Sequence, residues 1–164
     1  MSTPERLIHY SAQPLRKATS IPLCKQQDHF KPKGLWVSVE GPDDWKSWCE
    51  AESFSPGNLR YEQQIVLSET ANIRRLSNAL EIDELTERYA FPGQRHCRYR
   101  MDWKQIADGY DGIIIAPYIW SRRLDGGADW YYSWDCASGC IWNAAAIKEI
   151  IPLTLCEMAA SEVA

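Results

Sequence analysis

The chain has 164 residues, 45% apolar and 24% charged, which suits one globular domain able to bury about two-thirds of its unfolded surface. A net charge of −4 with no basic stripe argues against a protein that tracks nucleic-acid phosphates. No apolar run approaches the ~18 residues that span a bilayer, and MSTPERLIHY lacks a signal-peptide core, so the expected compartment is the cytoplasm.

In chain order, RLIHYS (6–11) is a short strand candidate. A polar stretch with three prolines follows (12–33), with room for one helical turn. GLWVSVEG (34–41) alternates and is rich in β-formers, which predicts a strand. Asp43 and Asp44 then open DDWKSWCEAESF, where Trp45, Trp48, Cys49 and Glu52 share helical spacing and the acids suit the helix N-terminus. SPGN (55–58) reads as a turn, and LRYEQQIVL and ANIRRLS as two strands or one bent strand. Asn78 and Glu81 have capping-box spacing for the helix ALEIDELTERYA.

FPGQRHCRYR (91–100) is predicted to be a loop carrying Arg95, His96, Arg98 and Arg100. Asp102 caps a short helix, WKQIADGY, ending at Gly109. The continuous apolar run GIIIAPY (112–118) predicts a strand covered on both faces. RRLDGGADW reads as a flexible loop because paired glycines punctuate it, and SGCIWNAAAIKEI as a strand turning into a short helix. The expected fold class is α+β in a single domain, with no repeat or interdomain linker.

Eight tryptophans are an excess that fits an aromatic-walled core, a stacking pocket or an interface. WYYSWDCASGCIWN (130–143) concentrates rings around one carboxylate, Asp135, which a core alone has no use for. The six cysteines are scattered, and the C-x3-C pair Cys136 and Cys140 lacks the spacing of a zinc site even with His96 and Cys97 to complete it. Reduced and mostly buried thiols are expected, and no metal. Ser138 does not sit in a G-x-S-x-G elbow, nothing local selects a Cys136–His9 nucleophilic pair, and no phosphate-loop motif occurs. Each remaining candidate also has a bland reading. His9 suits a core histidine, GLWVS an edge strand, Trp45 and Trp48 the core, and Asp135 a turn.

Taken in order, a His on the first strand (HYS, 9–11), the GLWVS strand (34–38) and an acid just before the last strand (WDCASG, 134–139) resemble the ADP-ribosyltransferase superfamily. GCIWNAAAIKEI is similar to the closing strand and helix of small bacterial and phage members, and the resemblance spans about residues 6–150. It implies split mixed or antiparallel sheets with short flanking helices, and NAD as co-substrate. His9, with Tyr10 and Ser11 beside it, then meets the ribose or amide of NAD. Gly34, Leu35, Trp36 and Ser38 frame the nicotinamide, and Trp45 and Trp48 add to its wall. The family's acid is usually Glu at the start of the late strand. Here that start is Ser138, and the nearest carboxylate is Asp135 in the loop before it, with Tyr131, Tyr132 and Trp134 as its expected aromatic surround.

The implied activity is mono-ADP-ribosyl transfer to a macromolecular target, or NAD glycohydrolysis, by a bacterial or phage effector or anti-defence protein. Protein is the expected acceptor class, with nucleic acid kept open and no membrane partner. A second class also fits: an aromatic-rich protein that inhibits a host protein by contact, its Trp and Tyr serving as interface anchors.

Overall fold

Among the described residues the chain forms seven strands. In the computed structural model, which describes residues 5–26, 30–54, 57–91, 100–125 and 127–153, they are β1 (Leu7–Ser11), β2 (Leu35–Val39), β3 (Tyr61–Leu67), β4 (Ile73–Leu76), β5 (Gly112–Ile115), β6 (Ser138–Ile141) and β7 (Ile147–Pro152). They form one mixed sheet in the order β4-β5-β6-β2-β1-β3-β7. Strands β4 and β5 run parallel; all other neighbours are antiparallel. Every residue of β5 is buried, as its continuous apolar character predicts, and so is every residue of β6.

The sheet is single, yet it is thinly joined at its middle. The β1–β2 ladder consists of Leu7↔Val39 and Ile8↔Ser38 only. Beyond them β1 continues along β3 as far as Ser11↔Tyr61, while β2 continues along β6 as far as Leu35↔Ile141. The strands part after two residue pairs and leave an opening between two halves of one sheet. Where separate sheets were expected, this seam connects them.

Among the described residues four short α-helices flank the strands, and three of them begin at a capping side chain. In α1 (Trp45–Ala51) Asp44 accepts from the Ser47 amide at 2.7 Å. In α2 (Ala79–Tyr89) Asn78 accepts from Glu81 at 3.1 Å, and the Glu81 carboxylate reaches back to the Ser77 amide at 2.5 Å. In α3 (Trp103–Gly109) Asp102 accepts from Gln105 at 2.9 Å. The fourth helix, α4 (Trp120–Arg123), occupies part of the segment expected to be a flexible loop. It is held by a bidentate pair in which Arg122 donates from Nε and a terminal nitrogen to both Asp83 oxygens, each at 2.6 Å. The following residues Asp129–Ser133 form a 3-10 turn.

Most of the aromatic excess is core. Trp103, Trp130, Trp134 and Tyr131 are fully buried, and Trp142 nearly so. Each such ring removes about 150–250 Å² from water, roughly 4–6 kcal/mol before entropy is charged. Their polar edges are mostly matched: Trp130 donates to Thr86 at 2.7 Å, Trp142 to the Tyr110 carbonyl at 2.5 Å, and the Tyr131 hydroxyl accepts from the Ile119 amide at 2.9 Å. Edge-to-face contacts run from Trp103 through Trp130 and Trp134 to Trp36.

Two sequence expectations need correction. The tail after β6 does not form an α-helix: Ala144–Ala146 is one 3-10 turn, and Ile147–Pro152 is β7, paired with β3. The strand at 112–118 ends at Ile115. The basic segment at 92–99, with His96 and Cys97, and also Cys156 lie outside the described residues. Among the described cysteines all are free thiols, with Cys24 exposed and Cys49, Cys136 and Cys140 buried.

Candidate functional site

The parting of β1 from β2 opens a cleft of about 420 Å³, within the range of small-molecule sites. Strand β1 contributes Ile8, His9 and Tyr10; β2 and its approach contribute Lys31, Gly34, Leu35, Trp36, Val37 and Ser38. Helix α1 adds Trp45, the loop into β6 adds Asp135 and Cys136, and β6 itself adds Ser138. Eight of the residues predicted to bind or act on a ligand therefore share one cavity: His9, Tyr10, Gly34, Leu35, Trp36, Ser38, Trp45 and Asp135.

Two predicted residues lie outside its lining. Ser11 ends β1 and bonds the Gln13 carbonyl at 2.7 Å. Trp48 stands behind Trp45, the rings stacked at 5.0 Å and 10°, with Phe54 edge-on to both. Trp48 thus supports the wall that Trp45 presents. The Ser38 hydroxyl accepts from the Trp45 amide at 2.8 Å, so it fixes where that helix begins.

His9 occupies the seam. Its Nδ1 lies 2.8 Å from the Trp36 carbonyl oxygen, which only accepts, so Nδ1 carries the proton. In the neutral ring Nε2 is then an acceptor. Tyr10 is held protonated by burial, reinforced by the Glu62 carboxylate, which push its phenol well above the ordinary range. It serves as a neutral hydroxyl.

Asp135 is half-buried on the opposite wall and has no hydrogen-bond partner among the described residues. Its neighbours are held firmly: the Ala137 amide donates to the Asp43 carbonyl at 2.7 Å, and the Val39 amide to the Ala137 carbonyl at 2.9 Å. On the near side Trp134 is fully buried, its carbonyl taking the Tyr118 hydroxyl at 2.5 Å. Of the expected surround, Trp134 and Tyr131 are interior, whereas Tyr132 is 57% exposed. The 3-10 turn rotates Tyr132 outward. Trp36, which lines the cleft, is edge-on to Trp134 at 4.8 Å.

Cys136 also lines the cleft, but burial pushes its thiol up to about 12, so almost none is thiolate at neutral pH. That disfavours a Cys136–His9 nucleophilic pair. Among the described residues no group of three or more His, Cys, Asp or Glu is placed to hold a metal. No helix among them is long and apolar enough to cross a membrane.

Sequence reading passed over Lys31. Its ammonium lies over the Trp36 ring, 5.2 Å from the centroid. No periodic signal marks it, since it sits in the irregular KPKG approach to β2. The only hint was the cation's closeness in sequence to the GLWVS strand.

Comparison of the chain with protein-family models, with curated proteins and with solved structures found no match.

Proposed function

We propose that the cleft splits NAD, and that the protein is a mono-ADP-ribosyltransferase or NAD glycohydrolase. The observation that carries the reading is convergence. His9, the Gly34–Ser38 strand and Asp135 come from distant parts of the chain and were grouped by their order alone, and they line one cavity.

The geometry suits that chemistry. The bond between the nicotinamide nitrogen and ribose C1′ breaks, its electron pair leaves with nicotinamide, and positive charge builds on the sugar, as in glycoside cleavage. A nucleophile, either water or a target side chain, then attacks C1′ and gives up a proton. Asp135 supplies a fixed negative charge for the developing cation, in a cleft whose Trp36 and Trp45 walls lower the local dielectric. Trp36 and Trp45 offer aromatic surface to the flat nicotinamide, and His9 Nε2 offers an acceptor to a ribose hydroxyl or the carboxamide. A macromolecular acceptor, a cytoplasmic setting and a role as a bacterial or phage effector or anti-defence protein belong to the same proposal.

Incubation with labelled NAD, alone and with cell lysate, tests it. Nicotinamide release, with or without label transfer to a macromolecule, is expected. An inert cleft under both conditions overturns it.

One observation favours the contact-inhibitor reading. Trp120 and Leu124 are 58% and 82% exposed and line a shallow depression with Glu52, Ser121, Arg123 and Asp125. Such a protein would titrate its partner one to one and ignore NAD.

A further inference from the structure

The lining of the cleft carries charges of both signs, and bond cleavage uses only the negative one. Asp135 supplies the carboxylate of its lining and Lys31 the ammonium. Among the described residues Lys31 forms no ion pair, with Asp135 or with any other carboxylate. A lysine on a loose loop would mean little, because a free ammonium on the surface is simply hydrated. The loop here is built.

Gln26 is 4% exposed, and its amide closes a two-bond clamp on Lys33, donating to the carbonyl at 2.6 Å and accepting from the amide at 3.0 Å. The Cys140 thiol contacts the Pro32 carbonyl at 3.8 Å, which pins the residue after Lys31 to β6. Gly34 then passes so close to β6 that a Cβ there would lie 2.5 Å from the Ile141 carbonyl oxygen and 2.7 Å from Cys140 Sγ. The backbone on the C-terminal side of Lys31 is thereby fixed, and Trp36 supports the ammonium from below. Its charge is felt within the wall, where it partly opposes the upward push of burial on the Cys136 and Cys140 thiols.

We propose that Lys31 is an anion subsite of this cleft, gripping a phosphate of the ligand while Asp135 faces its ribose. The inference rests on the NAD reading, and it adds a specificity: phosphorylated nicotinamide nucleotides are preferred over the unphosphorylated riboside. Charge complementarity is the basis. NAD carries a positive ring and a negative diphosphate, and the lining holds both a carboxylate and an ammonium. Lys31 is a binding residue in this scheme, without a part in bond breaking.

The test is calorimetric binding of NAD, nicotinamide mononucleotide, nicotinamide riboside and inorganic pyrophosphate to wild type, Lys31→Gln and Lys31→Arg, with melting temperatures as a folding check. Lys31→Gln should weaken NAD and the mononucleotide on the order of tenfold or more, the scale of a charged hydrogen bond, and leave the riboside unchanged. Lys31→Arg should restore most of the loss. Equal weakening of all nicotinamide ligands overturns the subsite, because Lys31 would then act through Trp36 and the shape of the wall. No loss with any ligand overturns it equally. Wild type that binds pyrophosphate through Lys31 but no nicotinamide compound keeps the subsite and removes the NAD reading. Wild type that binds none of the four ends both.

Discussion

The imidazole of His9 donates from Nδ1 to the Trp36 carbonyl at 2.8 Å, at the level where the β1–β2 ladder has already stopped. A side chain thus replaces the backbone bond that would close the sheet, and the cleft exists because that closure is missing. The same contact ties the histidine to structure as well as to ligand. His9→Ala should therefore remove about 0.5–1.5 kcal/mol, a fall of a few degrees in melting temperature, and weaken NAD binding as well. Thermal melts and ligand titration check it. Unfolding at ordinary temperature with unchanged affinity would make His9 a core histidine and nothing more.

Asp135→Asn keeps the volume and removes the charge. The carboxylate is half-buried and unpartnered among the described residues, so stability should change little. Nicotinamide release should fall about a hundred- to thousand-fold, the scale of a charge aimed at a developing cation. Asp135→Glu, a longer acid, should retain part of the rate. Equal turnover by wild type and the Asn variant reduces Asp135 to a turn residue.

Gly139 sits between β5 and β2, and an added Cβ would lie 2.5 Å from the Ile113 carbonyl oxygen and 2.7 Å from an Ile114 side-chain carbon. Backbone cannot yield as a flexible side chain does, so Gly139→Ala should cost roughly 1–3 kcal/mol. Gly41→Ala, where nothing lies within 4 Å, is the matched control and should be close to neutral. Denaturant midpoints for the two variants check it, and equal midpoints contradict it.

The Arg122–Asp83 pair joins α4 to α2. The hydrogen bonds from Arg122 hold the Asp83 carboxyl below its usual range. A depressed folded-state pKa means stability that is present above the unfolded value, about pH 4, and lost as pH falls through the folded value. Both groups reach solvent, which screens the pair, so the contribution is small. Asp83→Asn should be slightly less stable at pH 7, and the gap from wild type should close in acid. A gap that persists unchanged to pH 2 contradicts the pairing.

Thiol labelling gives a further check on the wall of the cleft. Cys24 is exposed, whereas Cys136 and Cys140 are buried with thiols pushed upward by burial. Alkylation followed by peptide mapping should modify Cys24 well before either of them. Early labelling of Cys140 would mean that the contact between the Pro32 loop and β6 is open.

What the sequence made legible follows from where local signals are strong. Capping residues Asp44, Asn78 and Asp102 and the apolar run at Ile113–Ile115 fix elements by chemistry that acts within a few residues. The tail misled because Ala144, Ala145 and Ala146 favour a helix, whereas Ile147, Ile150 and Ile151 are claimed by pairing with distant β3. α4 was missed because its anchor, Asp83, lies far off in sequence. Within the site, residues on strands could be grouped by order. Lys31 could not, since its placement depends on Gln26, Cys140 and the close approach of Gly34, none of which leaves a periodic trace.

Strand β2 carries one wall of the cleft, and its partner on the side of Asp135 is β6, from the last third of the chain. During synthesis the early strands emerge well before that partner does, at a pace of about 5–20 residues per second. A nascent chain that has not yet released Ser138 from the ribosome has its histidine but lacks the wall that bears the acid. Competence of the cleft is thereby deferred until β6 has emerged, and a product terminated before Ser138 is without it.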